Sequence, residues 1–498
     1  MKGESTAAAR DLRPGQAIHM VAVGGVGMSA LAGLLQARGF RVTGSDEAIY
    51  PPASTLLERL GIEVRRGYRA EHLDGADAVI IGNAVTRTNP EAAAALERGL
   101  RVYSMPEVLG SLFLSQRRTL VVAGTHGKTT TTAMLAWVLA GAGKSPGFLV
   151  GGVPIDLGMS FAVGEGEDFV IEGDEYDSAF FDKRPKFIHY RPRAVLLNAI
   201  EFDHADIYQD LAHVKRAFAE LVRLLPRESP LVVASEFPHA VEVASATRSD
   251  AIFFGNAPES AWRAVDVHDD GECTVFSVET GGRTVATVRL RLLGDMNVRN
   301  ALGVFVLCRA LGMRPDEIVP GLESFNGVRR RQEHVGERRG VIVLDDFAHH
   351  PTAVAGTLAA VRSRYRARRV IAVFEPRSNT SRRRVFQQAF ADALALAPVV
   401  ILSAVYEKPN DPLPPAERLS TDELVADLRG RGVAATVLPS PDAILQHLAA
   451  SATPGDVVVV MSNGAFGGLP RRLLETLGAP AAPGAAAPAG GASAVSRD

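Results

Sequence analysis

The sequence predicts an α/β protein made of three successive units in which strands alternate with helices. Three observations predict it. Short apolar runs recur along the whole chain, each leading into a helix-like stretch. Two of these runs end in glycine-bearing turns that open directly into helices. The length, 498 residues, matches three domains of roughly 150 residues each.

The first unit covers about residues 16–116. Its strands are IHMVAV (18–23), RVTGSD, AVIIGNA (78–84) and LRVYS (100–104), with the helix ALAGLLQARG after the first. That alternation is the pattern of a doubly wound parallel sheet. The second unit, 117–325, begins with TLVVAG (119–124) and continues with DFVIEGD (168–174), AVLLNAI (194–200) and PLVVAS (230–235). A more β-rich stretch follows over about 250–293, and the helix of NVRNALGVFVLCRALG closes the unit near Leu322. The third unit, 326–477, carries GVIVLDD, RRVIAVFE, VVILSA, ATVLP and DVVVVMSN as strands. The Ala/Pro/Gly-rich tail 478–498 has nothing with which to bury a core and is expected to be disordered.

Composition narrows the function classes. With 47% hydrophobic and 22% charged residues the chain reads as an ordinary soluble protein with material for several cores. Lys plus Arg (54) against Asp plus Glu (56) leaves no polycationic excess, so nucleic acid is not an expected partner. Two cysteines, Cys273 and Cys308, form no zinc pattern and read as buried thiols in a reducing compartment. No signal peptide and no membrane span are evident, so a cytoplasmic enzyme is expected.

The strongest chemical signal is Gly124-Thr125-His126-Gly127-Lys128-Thr129-Thr130, between an apolar strand and a helix. Glycines let backbone N–H groups turn toward phosphate oxygens, and the helix N-terminus adds positive potential. Lys128 would reach the β and γ phosphates and Thr129 would ligate Mg²⁺. The spacing is shorter than the usual phosphate loop, and the bland alternative is a strand–helix turn with an incidental lysine.

A second glycine turn is Gly24-Gly25-Val26-Gly27-Met28, followed some twenty residues on by a strand ending in Ser45-Asp46. It resembles a dinucleotide fingerprint. NAD, another nucleotide-like ligand such as a UDP-sugar, or simple helix–strand packing would each account for it.

Acidic runs end two strands: Glu-Gly-Asp-Glu-Tyr-Asp over 172–177 and Glu-Phe-Asp-His-Ala-Asp over 201–206. In a parallel sheet both would stand at the carboxyl edge beside the phosphate loop. Glu172 and His204 are the residues chosen to hold a second Mg²⁺, against a reading as solvated loop groups. Asn297 and Asn300 open a helix and fit an N-cap as well as a ligand contact. Arg329-Arg330-Arg331 is either a solvated face or a source of charge for a transferring phosphoryl group. Asp345-Asp346-Phe347-Ala348-His349-His350-Pro351 ends another strand, where capping is the alternative to ligand binding.

In order, GTHGKTT, IEGDEYD, NAIEFDHADIY, GDMNVRNAL, GVRRRQE and DDFAHHP resemble the Mur ligase family over about residues 18–470. The resemblance implies an N-terminal Rossmann-like UDP-binding domain, a central P-loop ATPase-like domain and a C-terminal Rossmann-like domain for the amino substrate. It implies an ATP-dependent, Mg²⁺-assisted amide ligase acting through an acyl phosphate. By the resemblance, ATP meets residues 124–130, Asn297, Arg331, Asp346 and His349, with Thr129, Glu172 and His204 around the metal. Lys128, His204 and Arg331 are the implied catalytic residues. Gly24, Gly25, Val26, Gly27, Met28, Ser45, Asp46 and Asn83 would bind UDP-N-acetylmuramate and not NAD.

Two departures stand out. The segment usually reading Gly-x-His-Asn is Gly294-Asp295-Met296-Asn297 here, which removes a histidine contact. Some members bridge magnesium with a carbamylated lysine, for which Lys215 is a counterpart to consider.

Among family members that extend UDP-N-acetylmuramate itself, one adds L-alanine and another adds the murein tripeptide L-alanyl-γ-D-glutamyl-meso-diaminopimelate. EYDSAFFDKRPKFIHYRP, FEPRSNT (374–380) and MSNGAFGG (461–468) resemble the second. Arg377, Ser378, Asn379 and Asn463 are then the expected tripeptide-binding residues, with Arg377 gripping a carboxylate. L-alanine addition in peptidoglycan synthesis is the near alternative. An NAD oxidoreductase leaves GTHGKTT unexplained, and a non-catalytic nucleotide switch is the third reading. A monomer or weak dimer is expected.

Overall fold

The computed structural model describes residues 9–204, 207–257, 260–407 and 413–478. From residue 479 on, the Ala/Pro/Gly-rich tail lies outside the described residues, as do residues 205–206 of the second acidic run. Gly478 itself ends the helix Leu469–Gly478.

Among the described residues the strands form three large sheets and one small hairpin. The first sheet is wholly parallel, in the order Glu63–Arg66, Arg41–Asp46, Ala17–Val21, Ala78–Ile81, Arg101–Ser104. Val21 pairs with both Ser45 and Ile81, so the turns after those three strands share one edge. The first strand stops earlier than IHMVAV suggests, because Ala22 takes a left-handed φ of 63° and turns the chain into the helix Val26–Ala37. The polar strand Glu63–Arg66 carries no apolar run and was not legible in the sequence.

The second sheet has ten strands. Its middle is parallel: Arg118–Ala123 lies between Asp168–Gly173 and Ala194–Leu197. Residues 120–123 and 194–197 are fully buried, as continuous apolar strands covered on both faces must be. Ala123 pairs with Gly173 and Leu197, which sets the phosphate-loop sequence between the two acidic runs. An antiparallel meander, Trp262–Asp269, Thr274–Thr280 and Arg283–Leu290, makes up the β-rich stretch. The helices Lys128–Gly141 and Asp295–Ala310 pack on the sheet through Met134, Val138, Ala301 and Phe305.

The third sheet runs Glu333–Arg338, Val341–Asp346, Asp456–Met461, Arg369–Phe374, Val399–Ser403, Ala434–Leu438. Its first pair is antiparallel and the others are parallel. Met461 pairs with Asp346 and with Phe374, which gathers Asp346, Asn463 and the 375–380 loop at one edge. The edge strand Glu333–Arg338 carries no apolar run and is absent from the strands read in the sequence, since edge strands need bury little.

Where the first two units meet, Phe161 lies so close to Gly33 that a Cβ there would come 2.1 Å from the ring. Between the second and third, Arg330 and Gln332 both take left-handed φ values, 60° and 51°. Such strain in non-glycine residues persists only where surrounding contacts fix it, and it clusters at functional sites.

Candidate active site

A cavity of about 400 Å³ opens between the second and third units. Its walls are the 125–130 loop, Glu172, Asp174, Tyr176, Asp203 and His204 on one side, and Arg331, Gln332, Asp346–His350, Ser378–Thr380 and Asn463 on the other. A second cavity of about 350 Å³ adjoins it, between the helices Asp295–Ala310 and Pro351–Arg364, with His126, Gly127, Met296 and Asn300 bordering both.

The loop is shaped by its glycines. Gly127 has φ 80°, and a Cβ on it would sit 2.8 Å from the Asn300 side-chain oxygen. Gly124 has φ 127°, and a Cβ there would sit 2.8 Å from the Ala199 carbonyl. The compact spacing therefore still yields a tight turn at a helix N-terminus, where amides favour anions.

Two ionic clusters border the loop. In the first, the Lys128 ammonium lies 2.9 Å from Glu175 and donates to the Gly124 carbonyl at 2.7 Å. His204 reaches the same Glu175 carboxylate at 2.9 Å, holding a left-handed φ of 55°. Burial opposes charging of both cations, but the nearby carboxylates, Glu175 foremost with Asp174 and Glu172 beside Lys128 and Asp203 beside His204, together raise the pKa of both. In the second cluster, Thr129 donates to Glu172 at 3.2 Å and accepts from Arg331 at 3.2 Å. Glu172 also accepts from the Gly151 N–H. Burial pushes its pKa up, and Gly151 and Arg331 only partly offset that.

Glu172 and His204 thus share a cavity wall but bond to different partners. Glu175, buried between Lys128 and His204, is not singled out by the sequence although it stands three residues after Glu172. Lys215 is not at the site: it pairs at 2.8 Å with Glu242 on a neighbouring helix and does not line the cavity.

From the third unit, Asp346 is buried and accepts from the amides of Gln332 at 2.7 Å and Ala348 at 2.6 Å. Asn297 donates to Gln332 at 3.1 Å and accepts from Asn300 at 3.2 Å. It does not cap its helix; Gly294 holds that position. The Arg331 guanidinium lies 4.6 Å from the Phe347 ring centroid. Gln332 is a further site residue that its type and position in the sequence do not announce.

Among the described residues, three buried side-chain atoms along the two cavities lack protein partners: Asn198 Oδ1, Gln332 Nε2 and Asn463 Oδ1. Buried polar atoms are rarely left so, and their presence along the cavities fits a polar ligand such as a nucleotide. For a divalent cation, Thr129 Oγ1 and the Glu172 carboxylate offer the hard oxygen donors that magnesium takes.

The second and third units are tied together beside the loop. Glu201 takes His126 at 3.1 Å and the Thr352 hydroxyl at 2.7 Å, while the His350 ring donates to the Phe202 carbonyl at 3.2 Å. His126, Glu201 and His350 place ligand-type atoms within 4.8 Å of one another. The Thr352 hydroxyl and amide already occupy Glu201 and His350, so the group is a hydrogen-bonded latch between units. Thr380 adds a hydrogen bond to Asp203. His349 and His350 are held near pKa 4, chiefly by burial.

The N-terminal glycine turn stands at the carboxyl edge of the first sheet and does not line either cavity. Asp46 accepts from the Gly24 N–H at 2.8 Å, and Asn83 lies on the neighbouring strand-end turn. The Ser45 side chain is fully buried and donates to Glu91, on the opposite face of the strand from Asp46. Met28 is buried as well. In the third unit Ser378, Asn379 and Asn463 line the main cavity, whereas Arg377 does not. Its guanidinium lies outside, over the ring of Tyr406.

Three family models match: the Mur ligase family catalytic domain over residues 17–117, the Mur ligase middle domain over 122–308, and the Mur ligase glutamate ligase domain over 330–464. The chain is 41% identical over 463 residues to the UDP-N-acetylmuramate–L-alanyl-γ-D-glutamyl-meso-2,6-diaminoheptandioate ligase of Escherichia coli K12, covering 92% of this chain and 98% of the relative. It is 34% identical to the UDP-N-acetylmuramate–L-alanine ligase of Thermobifida fusca, covering 93% and 96%. Among solved structures, a murein peptide ligase from Psychrobacter arcticus matches with a TM-score of 0.72 at 36% identity, covering 94% of this chain and all of that one. With its three sheets, its phosphate-loop cavity and these matches along nearly its whole length, the chain belongs to the Mur ligase family.

Proposed function

We propose that this chain is an ATP-dependent, ADP-forming ligase that joins UDP-N-acetylmuramate to the tripeptide L-alanyl-γ-D-glutamyl-meso-diaminopimelate, in peptidoglycan recycling. The observation that carries the chemistry is the convergence of Lys128, Thr129 and Arg331 with Ser378, Asn379 and Asn463 on one cavity. The tripeptide is favoured over L-alanine by the 41% identity to a ligase named for that peptide, against 34% to one named for alanine.

Lys128 swings from Glu175 to the β and γ phosphates, and Arg331 draws charge from the γ-phosphoryl group. The lactyl carboxylate oxygen attacks the γ-phosphorus. The bond from phosphorus to the β–γ bridging oxygen breaks and ADP departs, leaving an acyl phosphate. The alanyl amine then attacks the acyl carbon, loses a proton and expels phosphate as the amide forms. Magnesium, when bound, would neutralise phosphate charge; Thr129 and Glu172 would hold it, with His204 on the same cavity wall. Asn297 and Gln332 would meet the adenine, and Asp346 and His349 the rest of the nucleotide. The contacts of Glu201, Thr352 and Thr380 close the third unit over the acyl phosphate and exclude water. Gly24–Met28, Asp46 and Asn83 would anchor the UDP-sugar at the first sheet. Both UDP-N-acetylmuramate and ATP are intracellular, so the enzyme would work in the cytoplasm, as a monomer or weak dimer.

The acyl phosphate is tested with ¹⁸O in the lactyl carboxylate. The label should appear in released phosphate; unlabelled phosphate would rule the intermediate out.

A further inference from the structure

We propose that Tyr406 is a positioning residue that sets amine-substrate specificity, its ring being the platform that holds Arg377 for a distal carboxylate of the peptide. The proposal rests on the tripeptide reading given above. Arg377 and Tyr406 follow adjacent parallel strands, Arg369–Phe374 and Val399–Ser403, at their carboxyl ends. The guanidinium carbon lies 3.7 Å from the centre of the Tyr406 ring. The Tyr406 N–H donates to the Pro376 carbonyl at 3.0 Å, which ties the two loops together.

Two further features fix the arginine. Glu375, buried and accepting from the Ser462 hydroxyl, lies 3.5 Å from one guanidinium nitrogen. Gly464 makes room beside it: a Cβ there would come 2.3 Å from Arg377 Cδ and Nε. The chain is therefore built closely around this side chain, although both it and Tyr406 are about one-third exposed.

The Tyr406 contact uses the face of the guanidinium and leaves the N–H groups other than the one that meets Glu375, and these can grip a carboxylate. The neighbours Ser378 and Asn463 line the cavity, so Arg377 stands at its rim. The alanyl amine must enter the cavity to reach the acyl phosphate, and the rest of the tripeptide, with its free carboxylates, trails outward. Free L-alanine has its carboxylate next to the reacting amine and does not extend to the rim. Tyr406 and Arg377 together would thus reward a peptide and ignore an amino acid.

The test is steady-state kinetics on the full chain with ATP and UDP-N-acetylmuramate saturating. Wild-type protein that ligates L-alanine but no tripeptide would refute the tripeptide reading itself, whatever Tyr406 does. Given tripeptide use, Tyr406→Leu should raise the KM for tripeptide on the order of tenfold, as loss of a partly desolvated cation–π contact implies. The rise in KM should exceed any fall in kcat, and the KM values for ATP and UDP-N-acetylmuramate should stay put. Tyr406→Phe should restore the KM. In an Arg377→Ala background, or with a tripeptide whose diaminopimelate carboxylates are amidated, Tyr406→Leu should add nothing. An unchanged tripeptide KM in Tyr406→Leu would overturn the proposal. So would a parallel loss for all three substrates, or an equal effect with the amidated peptide.

Discussion

The Lys128 ammonium and the Glu175 carboxylate lie 2.9 Å apart, with Glu175 almost wholly buried. The pair keeps the phosphate-loop lysine charged, and Glu175 keeps His204 as a second partner. Lys128→Ala should abolish ligation, since the charge on the transferring group would go unanswered. Circular dichroism should show the fold retained. Leaving Glu175 with one partner should cost about 1–3 kcal/mol of stability. Adding Glu175→Gln should recover part of that stability and none of the activity. Ligation that persists in Lys128→Ala would refute its role.

Thr129 and Glu172 are the proposed oxygen donors for magnesium. Thr129→Ala and Glu172→Gln should each raise the Mg²⁺ concentration needed for half-maximal ADP formation by on the order of tenfold or more. Chelation by EDTA should stop the wild-type reaction. A magnesium titration identical to wild type in both variants would remove these residues from the metal site.

Gly127 should not tolerate a side chain. Its φ of 80°, and the Asn300 oxygen only 2.8 Å from where a Cβ would stand, leave no room. Gly127→Ala should lower the melting temperature and raise the KM for ATP at least tenfold, because about 1–3 kcal/mol of backbone strain would fall on the loop. An ATP KM like that of wild type would show that the loop amides do not hold the phosphates.

Acid should loosen the latch between the second and third units. His349 and His350 titrate near 4 in the folded chain, against about 6.5 when unfolded. Between those values the unfolded chain binds protons that the folded chain refuses, so stability is full above about pH 6.5 and falls toward pH 4. Glu201 acts in the same direction at lower pH: its carboxyl is held at about 2, where His126 and Thr352 outweigh the burial that opposes ionisation. His350→Gln should flatten the fall in unfolding free energy between pH 7 and 4.5 by about 1–3 kcal/mol. An unaltered slope would show that His350 is not the titrating group.

Apolar strands and glycine turns were legible because their signal is local. TLVVAG before GTHGKTT announces a buried strand, a loop and a helix within a dozen residues. The strands Glu63–Arg66 and Glu333–Arg338 were not, since their polar residues suit an edge and carry no periodic apolar run. Pairings across the chain were also hidden. Residue type names Glu175 as one acid among several, and only the fold brings it to Lys128 and His204. Ser45 and Asp46 look alike in sequence, yet alternation along a strand sends one to Glu91 and the other to the Gly24 amide. Lys215 shows the converse: a plausible residue type on a helix that faces Glu242 and not the site.

The amine substrate proposed for this chain is a peptide. Phosphate release should be measured with purified protein, ATP, Mg²⁺ and UDP-N-acetylmuramate, adding the tripeptide or L-alanine in parallel. Turnover with the tripeptide and little with L-alanine is the predicted result; strong turnover with L-alanine and none with the tripeptide would contradict it.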